Sequence, residues 1–247
     1  MPNNLRRLLA SNARRGSFRA EGNTLYVYDV IVASEADAEW FGGVAAEAIV
    51  KALRDMSGPV SLRINSPGGD VFAARAIQAA MDAYDGEIVA YVDGVAASAA
   101  SLIAAAASRC VMSSGAFMMI HKAWTIALGN ADDMLATAEL LEKIDGSLAE
   151  TYAEKTSKDA GRYAQLMAAE TWFTAAEAVA EGLADAIAEK ASAKAQAWDL
   201  SAYQRPPEAP APEASEAPDV VAAAPIADED HARRVRQHAA RVRSRAA

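Results

Sequence analysis

From Thr24 to Ile120, short runs of β-branched and aromatic residues alternate with stretches of helical period, and most switches carry Gly, Asn, Asp or Pro. That alternation limits the fold more than any other feature of the chain. Thr24–Val32 (TLYVYDVIV) reads as strand. Asp37–Met56 has helical period, with Trp40, Val44, Ala48 and Leu53 on one face. Val60–Ile64 is a strand that ends at the turn Asn65-Ser66-Pro67-Gly68-Gly69. Val71–Tyr84 is an amphipathic helix. Ile88–Val92 is a strand followed by Gly94 and an Ala-rich helix, and Arg109–Met112 and Phe117–Ile120 are further strands. Strands and helices in this order imply βαβ units and a largely parallel sheet, an α/β fold.

Beyond the sheet, Asn130–Tyr152 reads as a long helix, with Asn130 as N-cap and Asp133 at the third helical position. Its apolar stripe is Met134, Ala138, Leu141, Ile144, Leu148 and Tyr152, suited to projecting and pairing with another subunit. Ala175–Glu181 is a short helix stopped by Gly182, and Leu183–Ile187 closes the domain. The division expected is a flexible basic arm at 1–20, a globular domain at 21–190, a Pro/Ala-rich linker at 191–230 and an Arg-rich tail at 231–247.

The formal charge of −9 argues against general nucleic-acid affinity. The charge is uneven, because the tail holds six arginines and no acid, leaving the rest near −15. Such a tail is the one place where an acidic partner or nucleic acid would dock, although an Arg run is as often a solvated surface. The single cysteine, Cys110, excludes an internal disulfide and a Cys-built zinc site. Neither a membrane-length apolar run nor a signal-peptide core stands out, so a cytoplasmic protein is expected.

Three places carry residues suited to chemistry. Ser98 lies just past a strand at the start of an Ala-rich helix, where free N–H groups and the helix dipole favour developing negative charge. Taken alone, it fits a simple helix cap equally well. The loop Asn65–Asp70 has paired glycines between strand and helix, able to present N–H groups to an anion or to serve as an ordinary turn. His121 ends the apolar run Phe117–Ile120. It suits a general base or a structural histidine, and no second ligand stands at metal spacing. Glu170, Asp159 and Asp185 are all candidates for an acid to orient the imidazole, and the residues themselves do not choose among them.

Together, INSPGGD (64–70), DGVAASAASLIAAAA (93–107), MMIHKAW (118–124) and ETWFTAAEAVAEGLAD (170–185) resemble the Clp protease proteolytic subunit, in the family's order, over roughly residues 22–190. The resemblance implies a Clp/crotonase-type fold of repeated ββα units with a projecting helix. It also implies a serine endopeptidase that needs no cofactor or metal and assembles into homo-oligomeric rings. It assigns Ser98 as nucleophile, His121 as base and Glu170 as the acid, where the family usually has Asp. Gly69 and Ala99 would supply the oxyanion N–H groups, and Gly68 and Asp70 would contact a protein or peptide substrate. The linker and tail set the chain apart from the housekeeping enzyme. With them it is similar to the Clp-related head maturation proteases of tailed phages, which cleave capsid or scaffold protein. The rival readings are a housekeeping Clp subunit serving an ATPase, a crotonase-like acyl-CoA enzyme, and a non-catalytic capsid-assembly component. Lys122, next to His121, is read as a surface or substrate-rim residue.

Overall fold

The computed structural model describes residues 4–188 and 197–207. The tail at 231–247 and most of the 191–230 linker lie outside the described residues. The fold is mixed α/β, with eight helices among the described residues around a central sheet. The sheet is built from β1 (Ser17–Glu21), β2 (Thr24–Tyr28), β5 (Val60–Ser66), β6 (Ile88–Ala97), β7 (Arg109–Ser113) and β10 (Ala186–Ala188), in the order β1-β2-β5-β6-β7-β10. All pairings on this path are parallel except β1 with β2. The connections between parallel strands are helical, as such crossovers require. They include α4 (Val71–Asp82) and α5 (Ala99–Ala106).

The strand β6 is the pivot. Its first half, from Val89 to Val92, pairs with β7. Its second half, Val95–Ala97, turns to pair with β8 (Phe117–Ile120) instead, and β9 (Thr171–Thr174) then runs antiparallel to β8. One strand therefore feeds two layers, and the residues that follow β6 and β8 emerge side by side. Helix α5 follows at once and is buried on every side except its C-terminal Ala106. The small alanines let it lie close against β6, while Leu102 and Ile103, almost fully buried, each contribute about 1.5–3 kcal/mol of apolar burial.

Helix α6 (Ala131–Thr156) begins with the expected capping box: Asn130 accepts from the Asp133 N–H and Asp133 accepts from the Asn130 N–H. Its C-terminal part is held in the core by Leu148, Ala149 and Tyr152, while its N-terminal half projects, leaving Leu135 64% and Leu140 50% exposed. Helix α8 (Ala175–Glu181) ends at Gly182 in the left-handed region, as expected. No described helix is long and apolar enough to cross a membrane.

Four features differ from the sequence expectation. The strand read over 24–32 is two, because the Asp29 side chain caps the Val30 N–H and the chain turns there; β3 (Ile31–Val32) pairs with β4 (Val44–Ala45) in a separate small sheet. The helix read over 37–56 is broken into α2 (Glu35–Phe41) and α3 (Ala46–Arg54). Gly42 and Gly43 take positive φ between them, and a Cβ on Gly43 would stand 2.7 Å from the Val30 carbonyl oxygen. Helix α7 (Ala160–Ala168), capped by Asp159, was not foreseen.

Most consequential, residues 4–20 are not a loose arm: α1 (Asn4–Asn12) buries Leu8 and Asn12, and β1 extends the sheet. The partner that orders α1 comes from the span assigned to linker. Residues 197–207 bury Trp198, Ala202 and Tyr203 against Leu8 and Met119 in one apolar cluster. The buried Asn12 amide donates to the Asp199 carbonyl (2.9 Å) and its oxygen accepts from the Asp199 N–H (2.8 Å), joining the two segments.

Candidate active site

Two turns, one after β5 and one after β6, meet at the carboxyl ends of the parallel strands, the usual place for a site in such sheets. Ser98 is the turn residue after β6. Its φ of 53° is unusual for a side-chain-bearing residue and carries strain of about 1–3 kcal/mol. The Ser98 N–H donates to the Met119 carbonyl (2.9 Å), which fixes this turn against β8. The conformation presents the hydroxyl outward at the N-terminus of α5, where the helix dipole is positive.

His121 is the first residue after β8, and its Nε2 lies 2.7 Å from Ser98 Oγ. The sequence places the two 23 residues apart; the pairing of β6 with β8 brings them together. For Ser98 to donate, the imidazole carries its proton on Nδ1. Burial, with no compensating charge, pushes the imidazole down from 6.5 to about 4, so it is neutral and able to accept a proton at ordinary pH.

The glycine loop closes the other side. Gly69 and Ala99 both line the cleft, which has a volume of about 420 Å³. Among the described residues neither N–H donates to a protein acceptor. Gly68 and Gly69 take φ of 94° and 145°, and a Cβ on Gly69 would stand 1.9 Å from the Ile31 carbonyl oxygen. Only glycine permits this approach. Gly68 differs from the expectation of substrate contact. Its N–H turns inward to Ser66 Oγ (3.2 Å) and its carbonyl accepts from Ile31 N–H (2.8 Å). Asp70 lines the cleft, but its carboxylate also caps α4 by accepting from the Ala73 N–H (2.7 Å).

Glu170 is buried beside this site, yet no hydrogen bond joins it to His121 among the described residues, unlike the arrangement the resemblance implies. Its Oε1 accepts instead from the N–H groups of Gln204 (2.6 Å) and Arg205 (2.8 Å), and more distantly from Trp172 Nε1 (3.4 Å). The other two candidate acids are placed elsewhere: Asp159 caps α7, and Asp185 binds Lys155 and the Cys110 N–H. Lys122 is 58% exposed at its side chain and stands 4.0 Å from Asp145, as a surface residue should.

Sequence reasoning missed the aromatic wall. The His121 ring meets Trp124 edge-on at 4.4 Å and Tyr203 edge-on at 5.3 Å, and Tyr203 also packs on Trp124 and Trp172. The Tyr203 hydroxyl donates to the Pro67 carbonyl, and the Trp198 indole donates to the Asn65 carbonyl (3.1 Å), so the C-terminal segment is tied to the glycine loop.

A hydroxyl on a neutral imidazole, with two unengaged N–H groups at the wall of a cleft, is the set of parts that acyl transfer of the serine-hydrolase kind requires. The chain belongs to the Clp protease family, whose sequence model matches residues 22–191. It is 30% identical over 170 residues to the ATP-dependent Clp protease proteolytic subunit 1 of Mycobacterium tuberculosis, covering 68% of this chain and 85% of that one. It is 31% identical over 160 residues to the subunit of the same name from Leifsonia xyli subsp. xyli, covering 64% and 81%. It is 28% identical to the ATP-dependent Clp protease proteolytic subunit of Leuconostoc citreum over 169 residues, covering 67% and 84%.

Proposed function

We propose that this chain is a serine endopeptidase in which Ser98 is the nucleophile and His121 the general base. Ser98 Oγ attacks a peptide carbonyl carbon as its proton passes to His121 Nε2. The tetrahedral oxyanion is received by the Gly69 and Ala99 N–H groups. Collapse breaks the C–N bond, and His121 gives the proton to the leaving amine. Water, deprotonated by the same imidazole, then releases the acyl group and restores Ser98. The 2.7 Å contact between Ser98 Oγ and His121 Nε2 carries this reading. An acyl-CoA hydratase or isomerase would need catalytic carboxylates beside the glycine loop, and the one there, Asp70, caps a helix.

Assembly into homo-oligomeric rings is part of the proposal, supported by family membership and by the apolar residues on the projecting half of α6. The finer reading is cleavage of capsid or scaffold protein in a phage prohead. The Pro-rich stretch and six-arginine tail, which lie beyond the family match, support it. The names of the relatives favour a second reading, turnover with an ATP-driven partner.

Degradation of an unfolded fluorescent protein, such as labelled casein, tests the common core of both readings. Wild type should release peptides without metal or cofactor, while Ser98→Ala and His121→Ala should lose at least ~10³-fold. Undiminished hydrolysis by Ser98→Ala would rule the proposal out.

A further inference from the structure

The segment 197–207 lies outside the part of the chain that matches the family. Yet it is tied to the catalytic face at three points and to α1 at two. Trp198 donates to Asn65 O, Asp199 is clamped by Asn12, and Arg7 donates to Ser201 O. Tyr203 donates to Pro67 O, and Glu170 Oε1 accepts from two successive N–H groups, those of Gln204 and Arg205. Tyr203, 4% exposed, lines the same cleft as Ser98 and His121.

In a Ser–His–acid site the acid holds the imidazole in one orientation by a hydrogen bond to Nδ1. No such bond joins Glu170 to His121 among the described residues. An imidazole without it is free to turn unless packing stops it. Here two rings stop it: Trp124 at 72° and Tyr203 at 80° to its plane, both edge-on. Trp124 belongs to the chain just after His121. Tyr203 belongs to the strap, and its position depends on the anchors on either side of it. The strongest of these is Glu170, a carboxylate receiving two main-chain N–H groups directly after Tyr203.

We propose that Tyr203 is a positioning residue for His121, and that Glu170 acts on the imidazole through it, by anchoring the strap rather than by bonding His121 itself. The order of effect is carboxylate, then the Gln204 and Arg205 amides, then the Tyr203 ring, then the imidazole. This inference rests on the reading of Ser98 and His121 as nucleophile and base.

The two arrangements respond differently to the same substitutions. A Gln at 170 keeps a carbonyl oxygen that can accept both strap N–H groups, whereas a Gln standing in for a direct triad acid would favour the wrong tautomer, a change that elsewhere costs ~10⁴-fold. The measurement is the rate of Ser98 modification by a fluorophosphonate on full-length protein. Alongside it, nitrogen-15 NMR of the histidines follows the titration of His121. Glu170→Gln should stay within about 3-fold of wild type, while Glu170→Ala and Tyr203→Ala should fall by ~10–100-fold, the scale of small misplacements of reacting groups. The double variant Glu170→Ala/Tyr203→Ala should fall no further than either alone.

The NMR readout separates positioning from mere stability. Removing the Tyr203 ring admits water, so the imidazole should titrate closer to its ordinary 6.5 than to about 4. The other titratable groups on the elements around it are Asp70 on the glycine loop, Glu170 before β9 and the Lys122–Asp145 pair; Tyr203→Ala removes none of them. A Glu170→Gln protein that loses as much as Glu170→Ala overturns the proposal, and so does a Tyr203→Ala protein whose labelling rate and His121 titration match wild type. Failure of wild type to label at all would sink the peptidase reading instead, and the histidine titration would still decide whether Tyr203 holds His121.

Discussion

Replacing Gly68 by alanine should damage stability and the nucleophile together. A Cβ at this position would stand 2.5 Å from the Ala97 carbonyl oxygen and 2.9 Å from Ser98 Cβ. Both neighbours belong to the turn that presents Ser98, and neither is the free end of a flexible side chain. The φ of 94° adds conformational strain of about 1–3 kcal/mol for a residue with a side chain. Forcing a methyl group into packed surroundings adds about 1–3 kcal/mol more, so a loss of about 2–6 kcal/mol is expected in total. Relief of the clash must move the Ala97–Ser98 turn away from the glycine loop, so folded molecules should label at Ser98 at least ~10-fold more slowly. Urea unfolding followed by tryptophan fluorescence gives the first quantity, and fluorophosphonate labelling in native buffer gives the second. Gly115→Ala is the control: nothing lies within 4 Å of its Cβ and its φ is ordinary, so its stability should stay within about 0.5 kcal/mol of wild type. A Gly68→Ala protein with wild-type stability and labelling would refute the close packing of the glycine loop on the nucleophile's turn.

Further outcomes follow from burial. His121 titrates near 4 when folded and near 6.5 when free. Between those values the unfolded chain binds a proton that the folded one does not, so His121 makes stability rise with pH across the window from 4 to 6.5. The contribution is about 3 kcal/mol, fully present above 6.5 and lost below 4; a His121→Gln protein should show a flatter pH dependence of its urea midpoint over the same range. Burial pushes the Cys110 thiol up to about 12, so Ellman's reagent should find no reactive thiol in the native protein and one after denaturation. Asn12→Ala removes the hydrogen bonds that join α1 to Asp199. It should cost about 1–3 kcal/mol, and it should raise protease sensitivity at both α1 and residues 197–207.

The parts of the fold legible in the sequence are those where local pattern and tertiary role agree. The helix from Asn130 carries its own capping box, and the α8 helix carries its own Gly182 stop, so each declared its ends without help. The strand before Asn65 and the Ala-rich helix after Ser98 were equally plain. Errors arose where a tertiary contact decided the outcome. Trp40, Val44, Ala48 and Leu53 fit one helical face on paper, but Gly42 and Gly43 take positive φ so that Val44–Ala45 can pair with Ile31–Val32. The paired glycines were the signal for that break. Leu8 in the first segment was read as part of a basic arm because Trp198 and Tyr203, which help bury it, lie some 190 positions away.

The same distance hid part of the site. Ser98, His121 and the glycine loop stand in motifs, and their meeting follows from β6 pairing with β8. Tyr203 stands in no motif. Trp198 and Tyr203 were the only cue: two aromatics at the edge of a Pro, Ala and Glu-rich stretch have no reason to be there unless something covers them. Glu170 was legible as a residue of interest, but its hydrogen-bond partners were not, because Gln204 and Arg205 contribute backbone N–H groups, which carry no signature in sequence.

Peptide mapping of fluorophosphonate-treated, full-length protein tests the central claim most directly. One equivalent of phosphonate should be found on Ser98, reacting at neutral pH, and the modification should vanish in Ser98→Ala and slow by at least ~10³-fold in His121→Ala. Modification at a different residue, or labelling of Ser98 that proceeds unchanged without His121, would contradict the nucleophile and base assigned to the cleft.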